Sequence, residues 1–161
     1  LEKLRILSQL DLHSIEQPIK QGQWEIMGTL CEETPLPIAL DEELIGILEI
    51  EEKWEVIQKI RPQYIILKPS LVGGFKGSEE WIAIAEEYGI GWWVTSALES
   101  NVGLNAIAQW TATLGNPLPQ GLGTGSLFTN NFDSPLTVAN GRIYYDQAKM
   151  WQENLIADLC I

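Results

Sequence analysis

Four short apolar runs, each closing on a polar residue and each followed by helical periodicity, limit the folds open to this chain. The runs are Leu12–Ile19, Pro37–Asp41, Tyr64–Pro69 and Gly91–Ser96. Helical patterns follow at Trp24–Glu33, Glu52–Ile60, Ser78–Tyr88 and Val102–Leu114, with Gly89 stopping the third and Gly115 the fourth. Strand and helix in strict alternation predict a parallel sheet with right-handed crossovers.

The last polar residues of the runs, Glu16, Asp41, Lys68 and Ser96, recur at intervals of about 25 to 30 residues, one β/α unit each. In a parallel barrel such strand ends share one face, where active sites lie. No GxGxxG follows a strand, since Gly73–Gly74 is a lone pair and Gly121, Gly123 and Gly125 have another spacing, so a dinucleotide-binding sheet is disfavoured. The fold class expected is therefore α/β, a (β/α)-barrel. A closed barrel takes eight units in about 250 residues, and this chain carries about five, so the barrel is expected to be incomplete. After Gly115 come Pro117, Pro119 and the glycine-rich stretch Gly121 to Gly125, read as a fifth strand and its loop reaching Phe128. Pro135 to Tyr145, with Asn140–Gly141 at its centre, predicts a β-hairpin, and Asp146 to Leu159 a closing helix. Residues 1–128 are thus read as partial barrel. Residues 129–161 are read as a tail that packs on a separate domain or on the barrel end.

With a net charge of −12, binding to nucleic acid or to an anionic membrane is not expected, because both require a basic surface. No apolar run approaches the roughly 18 to 20 residues that span a bilayer. Cys31 and Cys160 stand far apart with no CxxC or histidine nearby, and are read as free thiols of a cytosolic protein. The chain opens inside an amphipathic helix with Leu1, Leu4, Ile6, Leu7 and Leu10 as its apolar positions, so further sequence is expected upstream or on another chain. The acidic stretches Asp41 to Glu55 and Glu79 to Glu87 read mainly as solvated helix faces.

Glu16, before Pro18, and Asp41, beside Glu42, are carboxylates at adjacent strand ends. Either acid alone reads as a solvated element end, but two that converge require a cation or a proton between them. Hard oxygen ligands suit Mg²⁺ or Mn²⁺ rather than zinc. Lys68 ends a fully apolar strand, and two readings stand: an ion pair with an acid of a neighbouring strand, or a cation facing a substrate carboxylate or its enolate. Ser96, Ala97, Glu99 and Ser100 lead into a helix start, which offers either an anion site or simple N-capping by Ser100 or Asn101. Gly73 and Gly74 let backbone approach a ligand or form a tight turn. His13 reads as a packed edge residue rather than a catalyst.

Together, Ile15-Glu16-Gln17-Pro18, Leu40-Asp41-Glu42, Leu67-Lys68-Pro69-Ser70-Leu71-Val72-Gly73-Gly74 and Ser96-Ala97-Leu98-Glu99-Ser100-Asn101-Val102-Gly103-Leu104 resemble the barrel of the enolase superfamily, from about Asp11 to Phe128. The resemblance implies that Glu16 and Asp41 are the second and third ligands of a divalent metal, Mg²⁺ or Mn²⁺. Lys68 would be the cation facing an enediolate, opposite a base lysine from an upstream KxK strand. It also implies a small carboxylate substrate and an N-terminal part of the same protein, including a capping domain. Lys3, in a helical pattern, does not replace that base. The reaction implied is dehydration of a succinylated hydroxycyclohexadiene carboxylate, towards menaquinone or phylloquinone. Racemisation of N-succinylamino acids or epimerisation of dipeptides is the alternative within the fold, the hydroxyl-rich Ser96 to Ser100 favouring dehydration. A non-catalytic binding scaffold is the alternative outside it.

Overall fold

The computed structural model describes residues 1–154 and Ala157. The chain forms two compact units, Leu1–Trp93 and the remainder from Val94.

The first unit opens with helix α1 (Glu2–Leu7) and a 3₁₀ turn, Ser8–Leu10. Then come strand β1 (Ile15–Glu16), helix α2 (Trp24–Glu33), strand β2 (Ile38–Leu40), a second 3₁₀ turn (Glu42–Leu44) and helix α3 (Ile50–Ile60). Strand β3 (Tyr64–Leu67), helix α4 (Gly74–Glu87) and strand β4 (Gly91–Val94) follow, the last residue of β4 opening the second unit. The strands lie side by side in chain order. β1 pairs parallel with β2, Ile15 opposite Ile38, and β2 pairs parallel with β3, Leu40 opposite Ile65. This is the parallel, helix-connected sheet that the alternating pattern predicts. Ile38, Ala39, Leu40, Ile65 and Leu67 are all fully buried, as continuous apolar strands with both faces covered must be.

The first strand is shorter than the Leu12–Ile19 run. Gln17 turns into the left-handed region at φ 36°, and Pro18 has no N–H to give a ladder, so pairing stops after Gln17 donates its N–H to the Ala39 carbonyl at 2.9 Å. Helix α2 approaches α3 so closely that a Cβ on Gly28 would stand 2.7 Å from the Lys59 carbonyl oxygen. α2 buries Met27 and Cys31. α3 buries Lys53, Val56, Ile57 and Ile60, one face at helical spacing. Lys53 is fully buried. Its ammonium donates to the Gly77 carbonyl at 3.1 Å and pairs with Glu80 at 2.7 Å, above the Trp81 ring. The solvated face read for Asp41 to Glu55 is thus broken at Lys53, and also at Asp41 and Glu43, which are 2% and 4% exposed.

In the second unit, helix α5 (Asn101–Thr113) is followed by a hairpin of β5 (Leu136–Ala139) and β6 (Arg142–Tyr145). The hairpin turns at Asn140–Gly141, both with positive φ, as the Asn-Gly signal predicts. The fifth barrel strand expected before Phe128 is not formed. Gly121 makes a single parallel bridge to Thr95, and residues 122–135 run as turns and irregular backbone. Glycines offer no side chains to pack and lose the most entropy on ordering, so this run does not sustain a strand. The helix expected from Asp146 is likewise absent over residues 146–154. There the Asp146 carboxylate accepts the Ala148 N–H at 3.0 Å and closes a turn. The rest of that expected helix, Ala157 apart, lies outside the described residues, as does Cys160. No helix among the described residues is long and apolar enough to cross a membrane.

Candidate active site

Parallel register carries the ends of β1, β2 and β3 to one edge of the sheet, and each end bears one of the charged residues expected there. Glu16 is the last residue of β1, and Asp41 and Lys68 directly follow β2 and β3. Asp41 is 2% exposed, and its carboxylate accepts from the Lys68 ammonium. The ion pair with a neighbouring strand, one of the two readings of Lys68, is therefore what the molecule forms. A carboxylate this buried without a partner would cost several kcal/mol, so the pair also keeps Asp41 in place.

Glu16, Asp41 and Glu42 each bring a carboxylate oxygen to within 4.8 Å of the others. A hydrogen bond with Asp41, partial burial and the negative charges of Asp41 and Glu42 push the Glu16 carboxyl up to about 7, against the opposing attraction of Lys68. Three carboxylates thus face one ammonium, and the site retains excess negative charge when all are ionised. Crowded hard-oxygen donors with surplus charge suit a small divalent cation such as magnesium, and no nitrogen or sulfur ligand belongs to the cluster.

The turn after Lys68 brings Gly73 and Gly74 to the start of α4, with φ of 95° and 72°. A side chain at Gly73 would meet Gly77 Cα at 3.3 Å, and the Gly74 N–H donates to the Pro69 carbonyl at 2.8 Å. The glycine pair therefore makes a tight turn, and both residues are exposed on it. His13 packs its ring 4.6 Å from that of Tyr64 and 5.9 Å from that of Trp93, as an edge residue does.

In the second unit the loop after β4 is held by its own side chains. The Ser96 hydroxyl donates to the Glu99 carboxylate, whose other oxygen accepts the Ala97 N–H at 3.1 Å, and the Leu98 N–H donates back to Ser96 Oγ at 2.9 Å. Ser100 occupies the N-cap position of α5 but makes no side-chain cap bond. Asn101 instead ties the helix start to the tail, its N–H donating to Asn131 and its amide to the Phe132 carbonyl.

Sequence reasoning missed Gln17 and Glu43, which stand behind the acidic pair. Gln17 lies inside the Glu-Gln-Pro motif and reads only as a neighbour of Glu16, while Glu43 falls in an acidic stretch that reads as surface.

Residues 1–149, which include the sheet and its charged strand ends, match one family model. The chain belongs to the Enolase C-terminal domain-like family. It is 61% identical over 140 residues to the o-succinylbenzoate synthase of Desulfotalea psychrophila, covering 87% of this chain and 38% of that protein. The crystal structure of MenC from Desulfotalea psychrophila superposes with a TM-score of 0.85 at 60% identity, over 88% of this chain and 40% of that one. The L-Ala-D/L-Glu epimerase of Bacillus subtilis is more distant, at 28% identity over 84% of this chain and 35% of its own. The chain spans about two fifths of the length of these relatives.

Proposed function

We propose that the complete protein is a cytoplasmic, magnesium-dependent o-succinylbenzoate synthase acting in menaquinone or phylloquinone biosynthesis. The reaction removes water from a succinyl-hydroxycyclohexadiene carboxylate: the proton α to the carboxylate leaves, then the β-hydroxyl departs with a proton. The observation that carries this reading is the 61% identity to the Desulfotalea synthase over 140 of the 161 residues, a stretch long enough to include Asp41 and Lys68 wherever it falls. Residues 1–128 are the barrel portion. The described residues from 129 onward are assigned to a tail outside the barrel portion. The remaining strands and the base lysine come from the rest of the protein.

Glu16 and Asp41 would hold the magnesium ion, with Glu42 close enough to join them, and the ion supplies stabilisation of negative charge on the substrate carboxylate. Lys68 has a separate part. Its ammonium, half-buried and already aligned by Asp41, stabilises the charge that builds as the α-proton leaves, without reorganising during the reaction. Gly73 and Gly74 at the start of α4, and Ser96, Ala97, Glu99 and Ser100 at the start of α5, are assigned to the substrate. This assignment follows the resemblance, since the N–H groups of Gly74, Ala97 and Leu98 are already bonded within the chain.

The test is a paired assay on the full-length protein with the cyclohexadiene substrate and with an N-succinylamino acid. Dehydration is expected to dominate, to vanish in excess chelator and to fall about 10²- to 10⁴-fold in Lys68→Ala. Racemisation faster than dehydration would assign the protein to the epimerase side of the family. Turnover untouched by Lys68→Ala and by chelation would leave a scaffold with no role for this site.

A further inference from the structure

We propose that Gln17 and Glu43 are positioning residues: together they clamp the ends of β1 and β2 and set the spacing of Glu16 and Asp41, and hence the affinity of that pair for a divalent cation. The proposal rests on the metal reading above and goes beyond it to two residues that touch neither metal nor substrate.

The Gln17 amide fills all four of its hydrogen-bonding positions. Its Oε1 accepts the N–H of Asp41 at 3.1 Å and the N–H of Glu43 at 3.4 Å. Its Nε2 donates to the Ile19 carbonyl at 3.1 Å and to Glu43 Oε2 at 3.0 Å. Two backbone donors on one side and two acceptors on the other fix which way the amide faces, because the flipped group would meet like with like at every contact. The second Glu43 oxygen accepts the Gly22 N–H at 2.7 Å. One amide and one carboxylate thereby join the turn after β1, the backbone of Asp41 and the 3₁₀ turn after β2.

This clamp comes with a conformational demand. Gln17 sits at φ 36°, which a non-glycine residue adopts only where its surroundings hold it, and the four amide bonds are what hold it. The residue immediately before it is Glu16. The backbone N–H that its amide grips belongs to Asp41. Gln17 is therefore bonded on both sides to the acids whose carboxylates converge within 4.8 Å, and loosening it lets mutual repulsion drive them apart. Groups that orient metal ligands in this way commonly govern about 10- to 100-fold in affinity.

The experiment is Mn²⁺ titration of the full-length protein followed by electron paramagnetic resonance, with unfolding midpoints recorded without metal. Gln17→Leu, and separately Gln17→Glu, are expected to weaken Mn²⁺ binding about 10- to 100-fold. The exchanged double variant Gln17→Glu with Glu43→Gln restores the contact between the two side chains at unchanged total charge. It is expected to recover part of the affinity lost in Gln17→Glu, since the bond to the Ile19 carbonyl stays absent. Unchanged binding in Gln17→Leu overturns the clamp, as does an exchanged variant no tighter than Gln17→Glu. The second comparison decides the matter if Gln17→Leu does not fold. Failure of the metal reading looks different: wild type then binds no Mn²⁺, or binds it equally well after Glu16→Gln and Asp41→Asn.

Discussion

Glu16 keeps its proton to about pH 7 in the metal-free molecule, because Asp41 shares a hydrogen bond with it and a second and third negative charge stand close by. A carboxyl whose pKa rises on folding binds more protons folded than unfolded between the two values. The stability it supports is whole below its ordinary 4.5 and is lost as pH climbs through about 7. Denaturant melts of the metal-free protein at fixed ionic strength should therefore decline over that window, and Glu16→Gln should flatten the decline. Metal reverses the trend, since the ligand form is the ionised one, and magnesium should bind more weakly as the pH falls below 7. Glu16, Asp41 and Lys68 were legible in the sequence because each follows an apolar strand and parallel register does the rest. Gln17 and Glu43 were not, because their bond crosses between two turns and depends on a left-handed backbone that Glu-Gln-Pro does not announce.

At the scale of elements, the helices that follow the four strands are legible in the sequence, whereas the strand expected after Gly115 and the closing helix expected from Asp146 are not formed over the described residues. α2 was legible from Trp24 to Glu33, since its apolar positions keep helical spacing. Its contact with α3 was not, because closeness between helices depends on the absence of a side chain at Gly28. Gly28→Ala would drive a methyl to 2.7 Å from the Lys59 carbonyl, a backbone atom that cannot swing aside. A loss of about 1–3 kcal/mol in chemical unfolding is the expected outcome, although alanine is the better helix former. A cost near zero would mean that the two helices slide apart freely. Lys53 shows the opposite lesson. Its spacing from Val56, Ile57 and Ile60 put it on the buried face, yet its charge argued for the surface. The Glu80 carboxylate and the Gly77 carbonyl outweigh that argument by satisfying the ammonium where it lies.

For the molecule as a whole, the described residues place four strands in one sheet, in chain order, whereas a closed barrel of this kind takes eight. The succession of strand ends along the sheet is readable from the repeat of β/α units. The glycine-rich stretch after Gly115 was over-read as strand because its spacing fitted that repeat while its residues had nothing to pack. In the full-length protein a cation held at Glu16 and Asp41 binds the folded state alone. Magnesium at 100 times its dissociation constant should thus add about 2.7 kcal/mol to unfolding, and Asp41→Asn should abolish the increment.

The burial of α2 against its neighbour has a further consequence, carried by Cys31. Removal from water pushes that thiol up to about 12, and only the thiolate reacts with alkylating reagents. Cys31 is thus a built-in clock. Its labelling rate at neutral pH counts how often α2 lifts away, and comparison with the rate of global unfolding tells whether the acidic edge of the sheet comes apart by itself or only when the whole molecule does.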